Sequence, residues 1–166
     1  MILLVNDANI FIDLLKINLL SDFFRLPYEF HITDMVAAEV HEENRHELAA
    51  CFDDGSLHKK TFQYEELMEI QLIQVKYQRL SVPDCSCLFH AQKTAGRLLT
   101  GDAALRRSAE QNNIKVHGIL WVFDQLVKHQ LIPPLKAHDK LDQLYKTNPR
   151  LPANECKKRL KKWKQG

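Results

Sequence analysis

Apolar residues recur along this chain in two rhythms that alternate: short unbroken runs, and longer stretches at helical spacing. Ile2-Leu3-Leu4-Val5 is an unbroken run that stops at Asn6-Asp7, and Ala8 to Leu15 resumes with Ile10, Phe11, Leu14 and Leu15 on one helical face. Tyr28 to Ile32 reads as a second strand. Thr33 then caps a helix whose Met35, Val36 and Val40 face inward, with Glu39 on the margin of that stripe and Glu42 to Arg45 carrying the helix into solvent. Asp53-Asp54-Gly55-Ser56 is a turn signal before a third strand over Leu57 to Phe62. Tyr64 to Arg79 spaces Leu67, Ile70, Ile73 and Tyr77 as an amphipathic helix does. Ser81-Val82-Pro83-Asp84 opens the next helix: Pro83 suits a first turn, and Asp84 gains from the positive end of the helix dipole. Leu88, Ala91 and Ala95 continue its inward face. Arg97 to Thr100 predicts a fourth strand that halts at Gly101, and Asp102 heads a helix with Leu105 and Ala109 inside. Asn112-Asn113 stop that helix, and Ile114 to His117 is a fifth short strand. A strongly apolar helix runs from Ile119 toward Gln130. Pro133-Pro134 and Asn148-Pro149 bracket another from Leu135 to Lys146, and the tail from Ala153 is basic and at best weakly amphipathic.

Strands that alternate with helices predict a layered α/β fold around a mostly parallel sheet. In such a sheet every strand exit lies on one edge, and ligands bind in the crevice outside those carboxyl ends. Asp7 and Asp102 both sit at strand exits. Asp84 heads an inward stripe and Glu39 edges one. Taken singly, each acid is explained as a helix cap, a first-turn acid or a surface residue. Taken together they are costly, because like charges and desolvation both oppose ionisation of clustered carboxylates. Hard divalent cations relieve that repulsion, and an oxygen-only site suits Mg²⁺ or Mn²⁺. Asp13 is expected to point away from this group, and Asp34 reads as a first-turn acid.

The 166 residues, 45% of them apolar, suffice for one full core. Residues 1–132 are read as the central unit and 133–166 as a helical, basic extension of the same domain. The net charge of +2 announces no global field for nucleic acid, so local clusters matter more. Cys51, Cys85, Cys87 and Cys156 are scattered, which predicts reduced thiols and a cytoplasmic setting. Cys85, Cys87 and His90 supply no complete tetrahedral set and are expected to be buried core residues. Met1 to Val5 lacks the basic flank of a signal peptide, and no apolar run reaches the ~18 residues of a membrane span.

Asp7-x-Asn9, Glu39 in a helix, Asp84 at a helix start and Thr100-Gly101-Asp102-x-x-Leu105 resemble the PIN domain, a metal-dependent nuclease fold found in many bacterial toxins of the VapC type. Gly118-Ile119-Leu120-Trp121 is similar to the Gly-x-Leu-Trp segment of one bacterial subgroup. The resemblance runs from Ile2 to about Leu131. It implies a parallel five-stranded sheet in the order 3-2-1-4-5, flanked by helices in three layers. It implies that Asp7, Glu39, Asp84 and Asp102 hold Mg²⁺ or Mn²⁺ as the catalytic set, with Asn9 and Thr100 supporting them through hydrogen bonds. The implied reaction is hydrolysis of RNA phosphodiester bonds, with an antitoxin protein as a partner in the toxin branch and a homodimer as the common assembly. Arg97, Arg106, Arg107, Lys59, Lys60 and the lysine-rich tail are candidates to hold the RNA backbone, each also explicable as a solvated face. The rival readings are a PIN scaffold that binds RNA or protein without cutting, and a nuclease for DNA or RNA ends.

Overall fold

The computed structural model describes residues Met1–Gly166. Its strands are β1 (Ile2–Asn6), β2 (Tyr28–Thr33), β3 (His58–Lys60), β4 (Arg97–Leu99) and β5 (Val116–His117). The helices are α1 (Ala8–Lys16), α2 (Leu20–Phe23), α3 (Asp34–Glu39), α4 (Arg45–Asp53), α5 (Tyr64–Lys76), α6 (Val82–Thr94), α7 (Ala103–Gln111), α8 (Ile119–Lys128), α9 (Pro134–Thr147) and α10 (Ala153–Lys164). All four strand pairings are parallel, and the order is β3-β2-β1-β4-β5, as the resemblance implied. The strand exits at Asn6, Thr33, Lys60, Leu99 and His117 therefore share one edge.

The sheet is covered on both faces, which is why its central strands read as unbroken apolar runs. In β2, Tyr28 and His31 point to opposite faces. The Tyr28 hydroxyl donates to Gln125 Oε1 of α8 at 2.9 Å, whereas His31 Nδ1 lies 2.8 Å from His90 Nε2 of α6. Helices α6 and α8 thus sit on opposite sides. Helix α6 is the most enclosed: every residue from Cys85 to Ala91 is buried, because β1, β2 and β4 lie beneath it and α5 packs on its flank. Such a helix needs no polar face. All four cysteines are free and buried, consistent with the core role expected for Cys85 and Cys87.

Four details depart from the sequence reading. The helix expected to continue past Glu39 stops there: Val40 turns to an extended conformation with its side chain in the core, and a short 3-10 turn, Glu42–Asn44, precedes α4. Ala95, expected on the inward face of α6, is exposed and ends the helix in the left-handed region at φ 51°. Gly96 follows because a Cβ there would meet Leu3 Cδ2 at 2.9 Å. The C-terminal tail is helical and packs more firmly than its weak amphipathic pattern suggests: in α10, Cys156 and Trp163 are buried, and the Trp163 ring lies 6.1 Å from that of Phe123 in α8. Most of the apolar residues of α5 also stay outside the core, with Ile70 alone fully buried. No helix is long and apolar enough to cross a membrane.

Candidate active site at the carboxyl edge of the sheet

Asp7 follows the last residue of β1 and caps α1: its Oδ1 accepts from the Ala8 N–H at 2.8 Å. Its own N–H donates to the Leu99 carbonyl at 2.9 Å, which ties the exits of β1 and β4 together. Asn6 fastens the other side, donating through Nδ2 to the carbonyls of Leu4 and His31. Next to Leu99, Thr100 is fully buried, and its hydroxyl donates to Asp7 Oδ2 at 2.7 Å while accepting from the Asp102 N–H at 3.0 Å. One hydroxyl therefore sets the position of two acids. Asp102 caps α7 through Oδ1, which accepts from the Leu105 N–H at 2.8 Å, and its second oxygen has no partner.

Asp84 comes from the first turn of α6. Ser81 Oγ accepts from the Asp84 N–H at 3.2 Å, and Asp84 Oδ2 accepts from the Ser81 N–H at 3.1 Å, a reciprocal cap at the start of α6. Ser86, one turn on, donates to the Pro83 carbonyl and lies 2.8 Å from Thr33 Oγ1, which locks that turn to the exit of β2. Glu39 is the last residue of α3 and neither of its oxygens is engaged. Three of the four acids thus do serve as caps, and each keeps acceptor capacity to spare.

Electrostatics separate this group from ordinary caps. Asp7 is only 5% exposed. Burial pushes its carboxyl above the usual range, the Thr100 hydrogen bond pulls it back, and the charges of Asp84 and Asp102 raise it further. Glu39 is exposed as a residue, yet partial desolvation of its carboxyl raises it, and Asp7 and Asp84 add to the rise. No lysine or arginine contributes to either shift. Asp7 thus feels Asp84 and Asp102, and Glu39 feels Asp7 and Asp84, with no protein counter-charge acting on either. An oxygen-only donor set with an excess of negative charge fits Mg²⁺ or Mn²⁺ in chemistry. The fit is of an open kind, since no three His, Cys, Asp or Glu side chains converge into a ready-made metal cage. Mg²⁺ sites of this type use one or two carboxylates and complete the shell with water and phosphate oxygens.

The supporting residues divide. Thr100 carries the hydrogen bonds; Asn9 lies exposed on α1 and bonds to none of the acids. Asp13 faces away from the four, as expected, but not toward solvent: it is buried and accepts from Asn148 Nδ2 at 3.1 Å. Asp34 opens α3 at the same sheet edge with its Oδ1 buried and unpartnered, a feature its first-turn position gave no hint of. Of the candidate RNA contacts, Arg106 lines a cleft that begins at Thr100 and Gly101. Arg97 is drawn to His117 Nε2 at 3.4 Å, Lys60 is paired with Glu66 at 3.0 Å, Lys59 lies over the Phe52 ring, and Arg107 faces a separate hollow beside Tyr77 and Leu80.

No curated protein matches the chain. A family model described as the PIN domain matches residues 3–165, and the parallel 3-2-1-4-5 sheet is the architecture that resemblance implied. With the match spanning nearly its whole length, the chain belongs to the PIN-domain family, a fold of the nuclease type.

Proposed function

We propose that the protein is a metal-dependent endoribonuclease, with Asp7, Glu39, Asp84 and Asp102 as its catalytic and metal-holding set. The observation that carries this reading is the buried Asp7 carboxyl, raised by burial and by two neighbouring acids with no cation to offset them. A purely structural cluster gains nothing from such repulsion. When bound, Mg²⁺ or Mn²⁺ would lower the pKa of a water and stabilise charge on the attacking and leaving oxygens of a phosphodiester. The chain's own contribution is positioning. Thr100 fixes Asp7 and Asp102 through one hydroxyl, the Ser81 cap fixes Asp84, and the end of α3 leaves Glu39 unencumbered.

The biological setting we propose is the toxin half of a toxin–antitoxin pair in the cytoplasm. The four free thiols suit a reducing compartment. Pairing into a homodimer is supported by α5, where Tyr64, Met68, Leu72 and Val75 form an exposed apolar stripe. Residues 133–166 are read as an extension of the domain that serves the same site. The openness of the acid cluster is the one observation that favours the rival, a scaffold that binds RNA or protein without cutting.

The deciding experiment is cleavage of a total RNA pool by the purified protein with Mn²⁺, Mg²⁺ or chelator, beside Asp102→Asn. Asparagine caps a helix as well as aspartate does, so the variant keeps its fold. Discrete products that require metal and vanish in the variant are expected. Equal cutting by the variant overturns the site, and no cutting by folded wild type moves the assignment to the scaffold. Growth arrest on induction, relieved by the product of an adjacent small reading frame, tests the toxin role separately.

A further inference from the structure

Beside the acids lies a cleft of about 650 Å³, entered at Thr100 and Gly101 and closed on its far side by the corner between α9 and α10. Its volume falls within the ~300–1,000 Å³ typical of small-ligand sites. The corner is docked onto α1 by a short relay: Asn148 Nδ2 donates to Asp13 Oδ2 at 3.1 Å, and the Arg150 N–H donates to Asn148 Oδ1 at 3.0 Å. Arg159 braces the outer wall, with Nη2 at 2.7 Å from Asp124 Oδ2 and Nη1 at 3.1 Å from Glu155 Oε2, so its charge is spent. Three other cations at the cleft make no close ion pair, although Lys16 and Arg150 also help to offset the buried Asp13 in its lining. Lys16 and Arg150 have no carboxylate within ion-pair distance, and the nearest to Arg106 is Glu110 at 3.9 Å. Between these cations Ile12, Ile119, Leu120 and Leu151 supply an apolar strip in a lining that is otherwise polar and includes the carboxylates of Asp13 and Glu155, the first bonded to Asn148 and the second to Arg159.

Gly118 joins the cleft to the acidic edge. A Cβ on it would stand 3.4 Å from Arg106 Nη2 and 3.8 Å from the Thr100 carbonyl oxygen, so the missing side chain leaves the guanidinium room at the seam between the two. Trp121 is already committed, stacked on His117 with centroids 4.0 Å apart and 11° between planes, and serves as fixed wall.

We propose that this cleft takes one unpaired nucleotide of the RNA strand next to the scissile phosphate, its base against the Ile12, Leu120 and Leu151 surface and its phosphates against Lys16, Arg106 and Arg150. The proposal rests on the reading of the acids as a site for RNA. An apolar strip flanked by cations, reaching that site at Thr100 and Gly101, matches a base and its backbone. Bases within a duplex are stacked and paired and cannot enter. The last two helices, through Asn148, Arg150 and Leu151, thereby become part of substrate recognition.

The test uses the full chain carrying Asp102→Asn, in chelator, so that binding is read whether or not the protein cuts. Probes are a fluorescein-labelled adenylate octamer, the same octamer annealed to its complement, and a labelled octamer of equal charge with abasic sugars. The single strand is expected to bind about tenfold more tightly than the abasic strand, the size expected for burying roughly 50–60 Å² of apolar surface, and more tightly than the duplex. Lys16→Gln with Arg150→Gln should lower the slope of log affinity against log salt by roughly 0.7 per charge removed. Leu151→Ser should narrow the gap between normal and abasic strands and leave the slope alone. Equal binding of normal and abasic strands would reduce the cleft to a charged surface and overturn the proposal. A glutamate-rich peptide that displaces the octamer from the parent protein but not from Leu151→Ser would overturn it too, in favour of a protein partner. If the cleft passes these tests and wild type never cuts RNA, catalysis fails and the cleft stands; if wild type cuts and Leu151→Ser leaves both cutting and binding unchanged, the reverse holds.

Discussion

Two buried aspartates on one short segment, Asp7 and Asp13, are treated by the fold in opposite ways. Burial is the largest effect on both and raises both carboxyls. Around Asp13 everything else lowers it: Lys16, the Asn148 amide and Arg150 all favour the charge. Around Asp7 the Thr100 hydroxyl and the Ala8 N–H help, but Asp84 and Asp102 push the other way. An acid that holds two parts of a chain together is given cations and a donor. One left among other acids waits for positive charge from outside the protein.

The largest effect is expected at Asp7 itself. Asp7→Asn should cut RNA cleavage by at least about 100-fold, more than the 10–100-fold typical of losing a partner that merely orients a metal ligand. Its effect on stability should have the other sign. A carboxyl whose folded value is raised contributes stability that is complete below its unfolded value and is lost as pH rises through the raised one, so ionised Asp7 is a burden at pH 7. Calorimetry in chelator should show a higher Tm for Asp7→Asn than for wild type; a lower one would make Asp7 an architectural residue. Thr100→Val comes next. It removes the donor to Asp7 and the acceptor for the Asp102 N–H, and should cost about 10–100-fold in cleavage and about 1–3 kcal/mol in denaturant unfolding. A loss of stability with full activity would show that the hydroxyl holds the edge together and no more.

Asp13→Ala sharpens the other side. It strands the Asn148 amide and frees the corner between α9 and α10, for about 1–3 kcal/mol, or roughly 2–4 °C in Tm per kcal/mol at this size. An unchanged Tm would say that the corner is held by Cys156 and Trp163 alone. A smaller effect comes from His90 and His117, each held down to about 4 chiefly by burial. The folded chain keeps them neutral while the unfolded chain protonates them near 6.5, so stability rises with pH between about 4 and 6.5 and is lost on acidification. Thermal melts across that window should fall by a few degrees toward the acid end, and His117→Gln should flatten the fall. Gly118→Ala should be the mildest change, a shift of Arg106 by a few tenths of an ångström that lowers RNA affinity by no more than about twofold, read by anisotropy.

Much of this architecture is legible in residues taken one after another. Unbroken runs such as Ile2 to Val5 mark buried parallel strands, Ser81 with Pro83 and Asp84 marks a helix start, and Asn112-Asn113 marks an end. The breaks that were missed share a cause. Val40 leaves the helix in an extended conformation with its side chain in the core, and the left-handed Ala95 leads into Gly96, which passes close to Leu3. Both depend on neighbours distant in the chain. The same is true of α10, where Cys156 and Trp163 carry the packing among lysines too numerous for the pattern to stand out.

The sequence by itself determined the alternation of strands and helices, the acids at the strand exits and the positions of the caps, because periodicity and capping are local properties. It could not determine that Asp7 would be buried beside Asp84 and Asp102 with no cation, nor that Thr100 would hold two acids with one hydroxyl. Nor could it tell that Asp13 and Asn148 would meet and shape a cleft. Those outcomes depend on which strand lies next to which and on what each helix covers, and contacts between residues far apart in the chain exist only once the sheet has closed.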